Sequence, residues 1–426
     1  MIARGAVRKE QRMNRQEIWN KIDERREELL KLCSEMIAIP SVNPPGNVEK
    51  IVGYITDFLK SHGISFEIVG ENEDRPNILA RYGTPGNKTV VFNGHCDVVP
   101  VGDESKWAFP PFSGEIKDGV MLGRGTSDMK CGMGAFLFAV AVLADAGVAL
   151  SGDVLMTIVP DEETGGAFGT QWLFKNGYIQ GDWGIVAEPT GMDNIEVGQK
   201  GTMGMNIYAT GTTAHGSLAP YVGDNAIDKL VKLLPMMYEL REIHGTYDGE
   251  IAQVMDVSKA KARAVQKTPG VENIMDHVTV NFGTIQGGVK RNVVADAAMA
   301  ELDVRVPIGV SHETVIAKVD EIIKKSGLTG ISVTYDNPRG GNYVSISDPI
   351  VATVKDCIRE LLGIEMVTAY QWASSDTRYF REAGISTIQY GPSNTVGIHN
   401  YNETVNVEDI ITAAKVYAAI ILNLVG

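Results

Sequence analysis

The sequence predicts an α/β protein built on a mixed sheet, with a ferredoxin-like domain inserted into it, and three observations carry that prediction. Up to residue 197 and again from 341, short β-branched runs alternate with helix-patterned segments, the pattern of an open α/β sheet. Between 198 and 340 the order becomes strand–helix–strand–strand–helix–strand, the βαββαβ order of ferredoxin-like domains. In the outer pattern, acidic residues and a histidine follow the strands, as expected where an open sheet places its site at the carboxyl edge. The expected organisation is a first domain in two parts, 1–197 and 341–426, around an inserted domain of 198–340.

A chain of 426 residues exceeds what one core usually serves, which agrees with two domains. The formal net charge of −14 argues against nucleic acid or an anionic membrane as the main partner. Four scattered cysteines (Cys33, Cys96, Cys131, Cys357) without a CxxC motif point to a reduced, cytoplasmic protein. Arg4, Arg8, Lys9, Arg12 and Arg15 are not followed by an apolar stretch, so the N-terminus reads as an extension ahead of Met13, not a secretory signal. The apolar run Met129–Ala146 contains Lys130, two glycines and Asp145, and reads as a helix buried on all sides, not a membrane span.

In order, helical spacing covers Arg15–Ile37 and, after Pro40, Pro44 and Pro45, Val48–Ser61. Strands are expected at Ser65–Val69, Asn77–Tyr82, Thr89–Phe92, Val154–Pro160 and Trp183–Ala187, with a hairpin turn at Lys117-Asp118-Gly119 and a helix through Thr170–Lys175. The inserted pattern comprises strand Met203–Ala209, helix Asn225–Arg241, strands Val278–Ile285 and Ala297–Val306, helix His312–Lys325 and strand Ile331–Tyr335. Between its first helix and second strand, His244–Asp276 reads as a long mobile loop. Helix Pro349–Leu362, strands Met366–Tyr370 and Ser386–Tyr390 and helix Val407–Leu422 complete the outer pattern.

Chemistry concentrates at Gly94-His95-Cys96-Asp97. Side chains alternate along a strand, so His95 and Asp97 share a face. A carboxylate there accepts the second ring N–H and makes the other nitrogen a better metal ligand. Further candidates are Asp128, Glu162, Glu163, Glu188 and His399. Each has a plainer reading: Asp128 as a helix N-cap, Glu162 and Glu163 as a solvated charge run, Glu188 as a strand terminus, His399 as a surface histidine. Jointly, those readings require every one to fall on the same sheet edge by accident. Imidazole and carboxylate donors without thiolates suit a catalytic site for Zn²⁺, with Co²⁺ and Mn²⁺ as alternatives. Two metals sharing one carboxylate need five protein ligands and a sixth residue to act on water.

The strings GHCDVVP, GRGTSDMK, PDEETGG, AEPT, TTAHGS and GIHN, in this order, closely resemble the zinc exopeptidase and deacylase family that includes carboxypeptidase G, acetylornithine deacetylase, succinyl-diaminopimelate desuccinylase and aminoacylase. The resemblance runs from about Ile37 to the C-terminus. It implies a zinc-exopeptidase-like catalytic domain with an inserted lid and dimerisation domain. Carried over, His95, Asp128 and Glu188 hold one metal, and Asp128, Glu163 and His399 the other. Asp97 orients His95, Glu162 is the general base and acid, and His215 on the lid stabilises the oxyanion. Asn292 and Arg305 match the lid's amide and guanidinium, and with Arg378 they form a candidate set for a substrate carboxylate. For the two arginines the plainer partners are Asp303 or Glu301, and Asp376.

Two residues depart from the family pattern, Cys96 within His-x-Asp and Cys131 after Asp-Met-Lys; both read as small core residues. Gly123-Arg124-Gly125 could instead cradle an anion in a nucleotide-binding module, but it lacks the rest of that fingerprint. A catalytically inactive binding relative is a third reading, and the intact Glu162 argues against it. The expected activity is hydrolysis of the amide of an N-acyl-L-amino acid by a homodimer with two divalent ions, with dipeptidase or carboxypeptidase action as the alternative.

Overall fold

The structure, a computed structural model, describes residues 14–394 and 397–426. Of the basic residues on which the reading of the N-terminus rests, Arg4, Arg8, Lys9 and Arg12 lie outside them, and Arg15 begins the first helix. The described residues form two compact units: 14–197 with 344–368 and the described part of 375–426, and 198–343 with 369–374. The segment 369–374, grouped with the second unit, is not anticipated by the sequence pattern.

In the first unit, strands lie side by side in the order Ser65–Val69, Asn77–Gly83, Asp153–Val159, Thr89–His95, Trp183–Val186, Ser386–Gln389 and Asn194–Gln199. From Asp153–Val159 through Ser386–Gln389 the pairing is parallel, and the flanking pairs are antiparallel, which makes the sheet mixed. Val90, Val91 and Phe92 are fully buried because both faces of a central parallel strand are covered. The strand outlasts its apolar run: Asn93, Gly94 and His95 still pair with Thr157, Ile158 and Val159. That extension carries His95 to the carboxyl edge.

Helix Lys130–Asp145 is buried from Lys130 to Leu143, as its uniformly apolar sequence predicts. Two glycines permit its close approach to the sheet. A Cβ on Gly132 would stand 2.3 Å from the Ala187 carbonyl oxygen, and one on Gly94 3.0 Å from the Phe136 ring. At the helix start, Lys130 Nζ donates to the carbonyls of Met36 (3.0 Å) and Ile39 (2.8 Å), groups left over where helix Arg26–Ala38 ends. Cys96 and Cys131 are fully buried, and burial pushes the Cys96 thiol up to about 12, so both are small core residues in this fold.

The second unit is a four-stranded antiparallel sheet in the order Thr279–Gly287, Ala297–Val306, Gly201–Thr210, Ile331–Arg339. Helices Ala226–Leu233 and His312–Ser326 contribute Leu230, Leu233, Val315, Val319 and Ile322 to a core that Met203, Met205, Ile207, Leu302 and Val304 complete from alternate sheet positions.

Three expectations are corrected. The segment His244–Asp276 is no long loop: it contains helix Gly249–Gln266, whose buried face is only Val254, Met255, Ser258 and Ala262, a stripe too narrow to stand out among its charges. Helix Asn225–Arg241 stops at Leu233 and tightens into a 3₁₀ segment, Leu234–Glu242, where Pro235 removes a donor. Helix Arg15–Ile37 is two helices meeting at Arg25. Among the described residues, no helix is long and apolar enough to cross a membrane.

Candidate metal centre

Three neighbouring parallel strands deliver most of the site at their carboxyl ends. His95 ends its strand, Glu162 and Glu163 open a short 3₁₀ turn just past Asp153–Val159, and Glu188 follows Trp183–Val186. Asp128 comes from the loop before the buried helix, next to a cis Asp128–Met129 peptide, and His399 from a loop beyond Ser386–Gln389. All belong to the first unit.

The donor atoms converge into two groups, His95 with Asp128 and Glu188, and Asp128 with Glu163 and His399; within each, they lie within 4.8 Å of one another. Asp128 belongs to both. Its Oδ1 is 3.0 Å from His95 Nε2, and its Oδ2 is 3.1 Å from His399 Nε2, which is also 3.3 Å from Glu163 Oε2. His399 holds this position with a left-handed φ of +56°, a conformation in which histidine is enriched.

Asp97 sits differently from the simple alternation argument. The His95 Nδ1 is 2.9 Å from the Asp97 backbone carbonyl and 3.4 Å from its carboxylate. The carboxylate instead accepts Asn43 Nδ2 at 2.8 Å and the backbone N–H groups of Glu162 (3.2 Å) and Glu163 (3.3 Å). The Asp97 carbonyl is thus the nearer acceptor for His95 Nδ1, and its carboxylate is tied to the turn bearing both glutamates.

Electrostatics favour cations here. Burial, then Asp128 and Glu162, push the Glu188 carboxyl well above the ordinary carboxylate range; burial, then Asp376, do the same to Glu162. Glu163 is raised by burial and by Asp128. Burial opposes the charge of Asp128 as well, yet hydrogen bonds from His399 and His95 hold it below its usual value. Glu163 Oε1 is buried without a hydrogen-bond partner. A crowd of carboxylates, two imidazoles and an orphaned acceptor fits divalent metal ions.

Without metal, protons partly substitute for that charge. Hydrogen bonds to Asp128 and Glu163 raise His399 from 6.5 to about 10, so its contribution to the metal-free fold is complete below about 6.5 and is lost as pH rises through about 10. Ligation requires neutral imidazole. Metal binding at pH 7 should therefore release protons, and its heat should depend on the ionisation enthalpy of the buffer. Heats identical in two such buffers would contradict this.

The remaining candidates are split between the units. Arg378, on helix Thr377–Glu382 of the first unit, is buried; its Nη1 is 3.8 Å from Glu162 Oε1, and its Nη2 donates to the Gly165 carbonyl at 3.2 Å. His215, Asn292 and Arg305 belong to the second unit. There the Gly216 N–H donates to the Asn292 carbonyl at 2.8 Å and His215 bridges Val293, which brings His215 and Asn292 together, both exposed. Arg305 Nε lies 2.9 Å from Asp303, the plainer partner weighed for it. Asn43 and Glu403 escape a reading of the sequence: the first lies in a proline-rich loop, and the second finds its partners only through the fold, whereas Asp376 lies 3.8 Å from Arg378 Nη2, the plainer pairing weighed for that arginine.

The model of Peptidase family M20/M25/M40 matches residues 91–423. The chain is 29% identical over 403 residues to the succinyl-diaminopimelate desuccinylase of Paracoccus denitrificans, covering 92% of this chain and 97% of the relative. It is 26% identical over 441 residues to the N-formyl-4-amino-5-aminomethyl-2-methylpyrimidine deformylase of Bacillus subtilis, covering 95% and 96%. Its fold is similar to that of an M20 family metallo-carboxypeptidase from Sulfolobus solfataricus, with a TM-score of 0.78 at 21% identity over 93% of this chain and 99% of the other. Human carnosine dipeptidase 1 gives 0.76 at 18% identity, covering 96% and 98%. The family match spans most of the chain and the donor groups lie within it: the chain belongs to Peptidase family M20/M25/M40 and is a metallo-hydrolase acting on amide bonds.

Proposed function

We propose that this chain removes the acyl group from an N-acyl-L-amino acid, using two divalent ions, zinc first among them. The observation that supports this most is the pair of donor groups sharing Asp128 beside the half-buried Glu162. His95, Asp128 and Glu188 would hold one ion, and Asp128, Glu163 and His399 the other. Two relatives named for removing a succinyl and a formyl group favour a deacylase. A structure similar in fold, from Bacillus subtilis, is described as a dinuclear metal binding peptidase of the M20 family. The buried, unbridged cysteines suit a reducing cytoplasm.

When bound, the ions acidify a water and polarise the scissile carbonyl. Glu162 would take a proton from the attacking water as the C–O bond forms, and return it to the amine nitrogen as the C–N bond breaks. Arg378 faces Glu162 and opposes the burial that would neutralise it. His215, whose Nδ1 lies 2.8 Å from Ser217 Oγ and 3.3 Å from the Ser217 nitrogen, would offer its Nε2–H to the oxyanion. The test is a panel of N-acetyl, N-succinyl and N-formyl amino acids and dipeptides with the metal-loaded protein. Cleavage of dipeptides alone would reject the deacylase reading in favour of a peptidase.

The second unit would serve as lid and dimer interface. Its strand Thr279–Gly287 is a sheet edge with outward backbone groups, and Ile227, Val231 and Ile285 are exposed. In such a dimer His215 acts in the partner's site. Mixing His215→Ala with Glu162→Gln protein should then restore part of the activity, since a hybrid dimer regains one intact site. No recovery after verified subunit exchange would reject action in trans.

A further inference from the structure

We propose that Glu403 is a positioning residue that ties the loop carrying Asp128 to the segment carrying His399, and so sets the affinity of the metal group those two share. The inference rests on the two-metal reading above and adds a residue outside both ligand sets.

Glu403 lies four residues beyond His399 and is fully buried. Its Oε1 accepts the backbone N–H groups of Gly125 at 3.1 Å, Ser127 at 2.9 Å and Asp128 at 3.0 Å. Its Oε2 accepts Arg124 Nη1 at 2.6 Å, and Arg124 is itself buried with its guanidinium 5.2 Å from the Trp107 ring centre. Converging backbone donors of this kind form an anion-binding concavity, and here the anion is supplied by the chain itself. Without Glu403, three N–H groups at this buried loop would lack the acceptor they have, which buried backbone does not tolerate cheaply.

The same two segments are stitched again on either side. The Gly123 N–H donates to the Glu403 carbonyl at 3.1 Å, and Ser127 Oγ donates to the Thr404 carbonyl at 2.9 Å. Asp128 is therefore held from behind through its main chain, while its two carboxylate oxygens face His95 and His399. The His399 side chain is 51% exposed, so little packing around the ring fixes it.

The two metal groups depend on this clamp unequally. His95 and Glu188 are placed by strands of the central sheet, so the first group shares only Asp128 with the clamp. The second group draws both Asp128 and His399 from the clamped segments. Loss of an outer contact of this kind weakens metal binding on the order of 10- to 100-fold.

The experiment is titration of the whole metal-free chain with Zn²⁺ against a competing chelator, resolving both equivalents, for the parent, Glu403→Ala and Glu403→Gln. Circular dichroism and thermal melts of the metal-free proteins run alongside. Glu403→Ala should weaken one equivalent on the order of 10- to 100-fold and leave the other within about twofold. Glu403→Gln should weaken the same equivalent by less, because its carbonyl oxygen still accepts the three N–H groups while its amide faces Arg124. If Glu403→Ala does not fold, Glu403→Gln decides. Folded variants with a lowered melting temperature and two unchanged affinities, or with both equivalents weakened alike, would overturn the proposal. A parent that binds fewer than two equivalents would instead overturn the two-metal reading on which it rests.

Discussion

Glu162→Gln should retain both metal ions and lose nearly all turnover, whereas Glu163→Gln should lose one ion. The two residues are neighbours in sequence, and both are anchored by backbone N–H donation to Asp97, yet their side chains meet different surroundings. Glu163 Oε2 is 3.3 Å from His399 Nε2 within a donor group, and its other oxygen is buried without a partner. Glu162 belongs to neither donor group and has Arg378 at 3.8 Å. Replacing a general base by its amide removes a contribution of about 10²–10⁴-fold, and more where the base also positions the nucleophile. It does not remove a ligand. Metal content by elemental analysis and kcat on the same preparations test the assignment, and equal metal loss in both variants would overturn it.

The candidate site was legible where its residues stand at the end of an element, and illegible where the arrangement depends on distant pairing. Thr89–Phe92 announces a buried strand, and Asp161-Glu162-Glu163 and Glu188 follow two others, so the carboxyl edge could be placed before the strand order was known. Telling Glu162 from Glu163 was not a matter of pattern, because adjacent glutamates in a turn look alike; that distinction came from the family resemblance. Asp97 shows the limit of the alternation rule. Two residues past a strand, its carbonyl reaches the His95 ring more closely than its carboxylate does. Glu403 carries no local signal, since its partners lie some 280 residues earlier. Helix Gly249–Gln266 was hidden for a different reason: four buried positions in eighteen residues leave a weak periodicity.

A substrate with a free α-carboxylate should be cleaved much faster than its methyl ester or amide, and Arg378→Lys should remove much of that preference without removing metal. A guanidinium is a planar fork that grips a carboxylate at two points, a geometry that an ammonium cannot reproduce. Arg378 is rigidly presented. It is buried, its Nη2 donates to the Gly165 carbonyl, and its guanidinium stacks 4.5 Å from the Tyr379 ring centre. Asp376 lies 3.8 Å from Nη2, so the positive charge is needed locally and a neutral replacement would leave buried carboxylates uncompensated. Lysine keeps the charge and loses the fork, which makes it the informative substitution. Losing a desolvated, charged hydrogen bond costs about 2–3 kcal/mol, or roughly 30- to 150-fold in kcat/KM. The pattern of loss separates two roles. If Arg378 grips the substrate, Arg378→Lys raises KM for the acid and leaves the slow ester nearly unchanged. If it only supports Glu162, kcat falls equally for acid and ester. Arg305 and Asn292 offer the same test from the second unit, where Arg305 must give up Asp303 to engage a substrate. Esters that turn over as fast as acids in the parent would reject carboxylate recognition and shift the reading towards an aminopeptidase-like hydrolase.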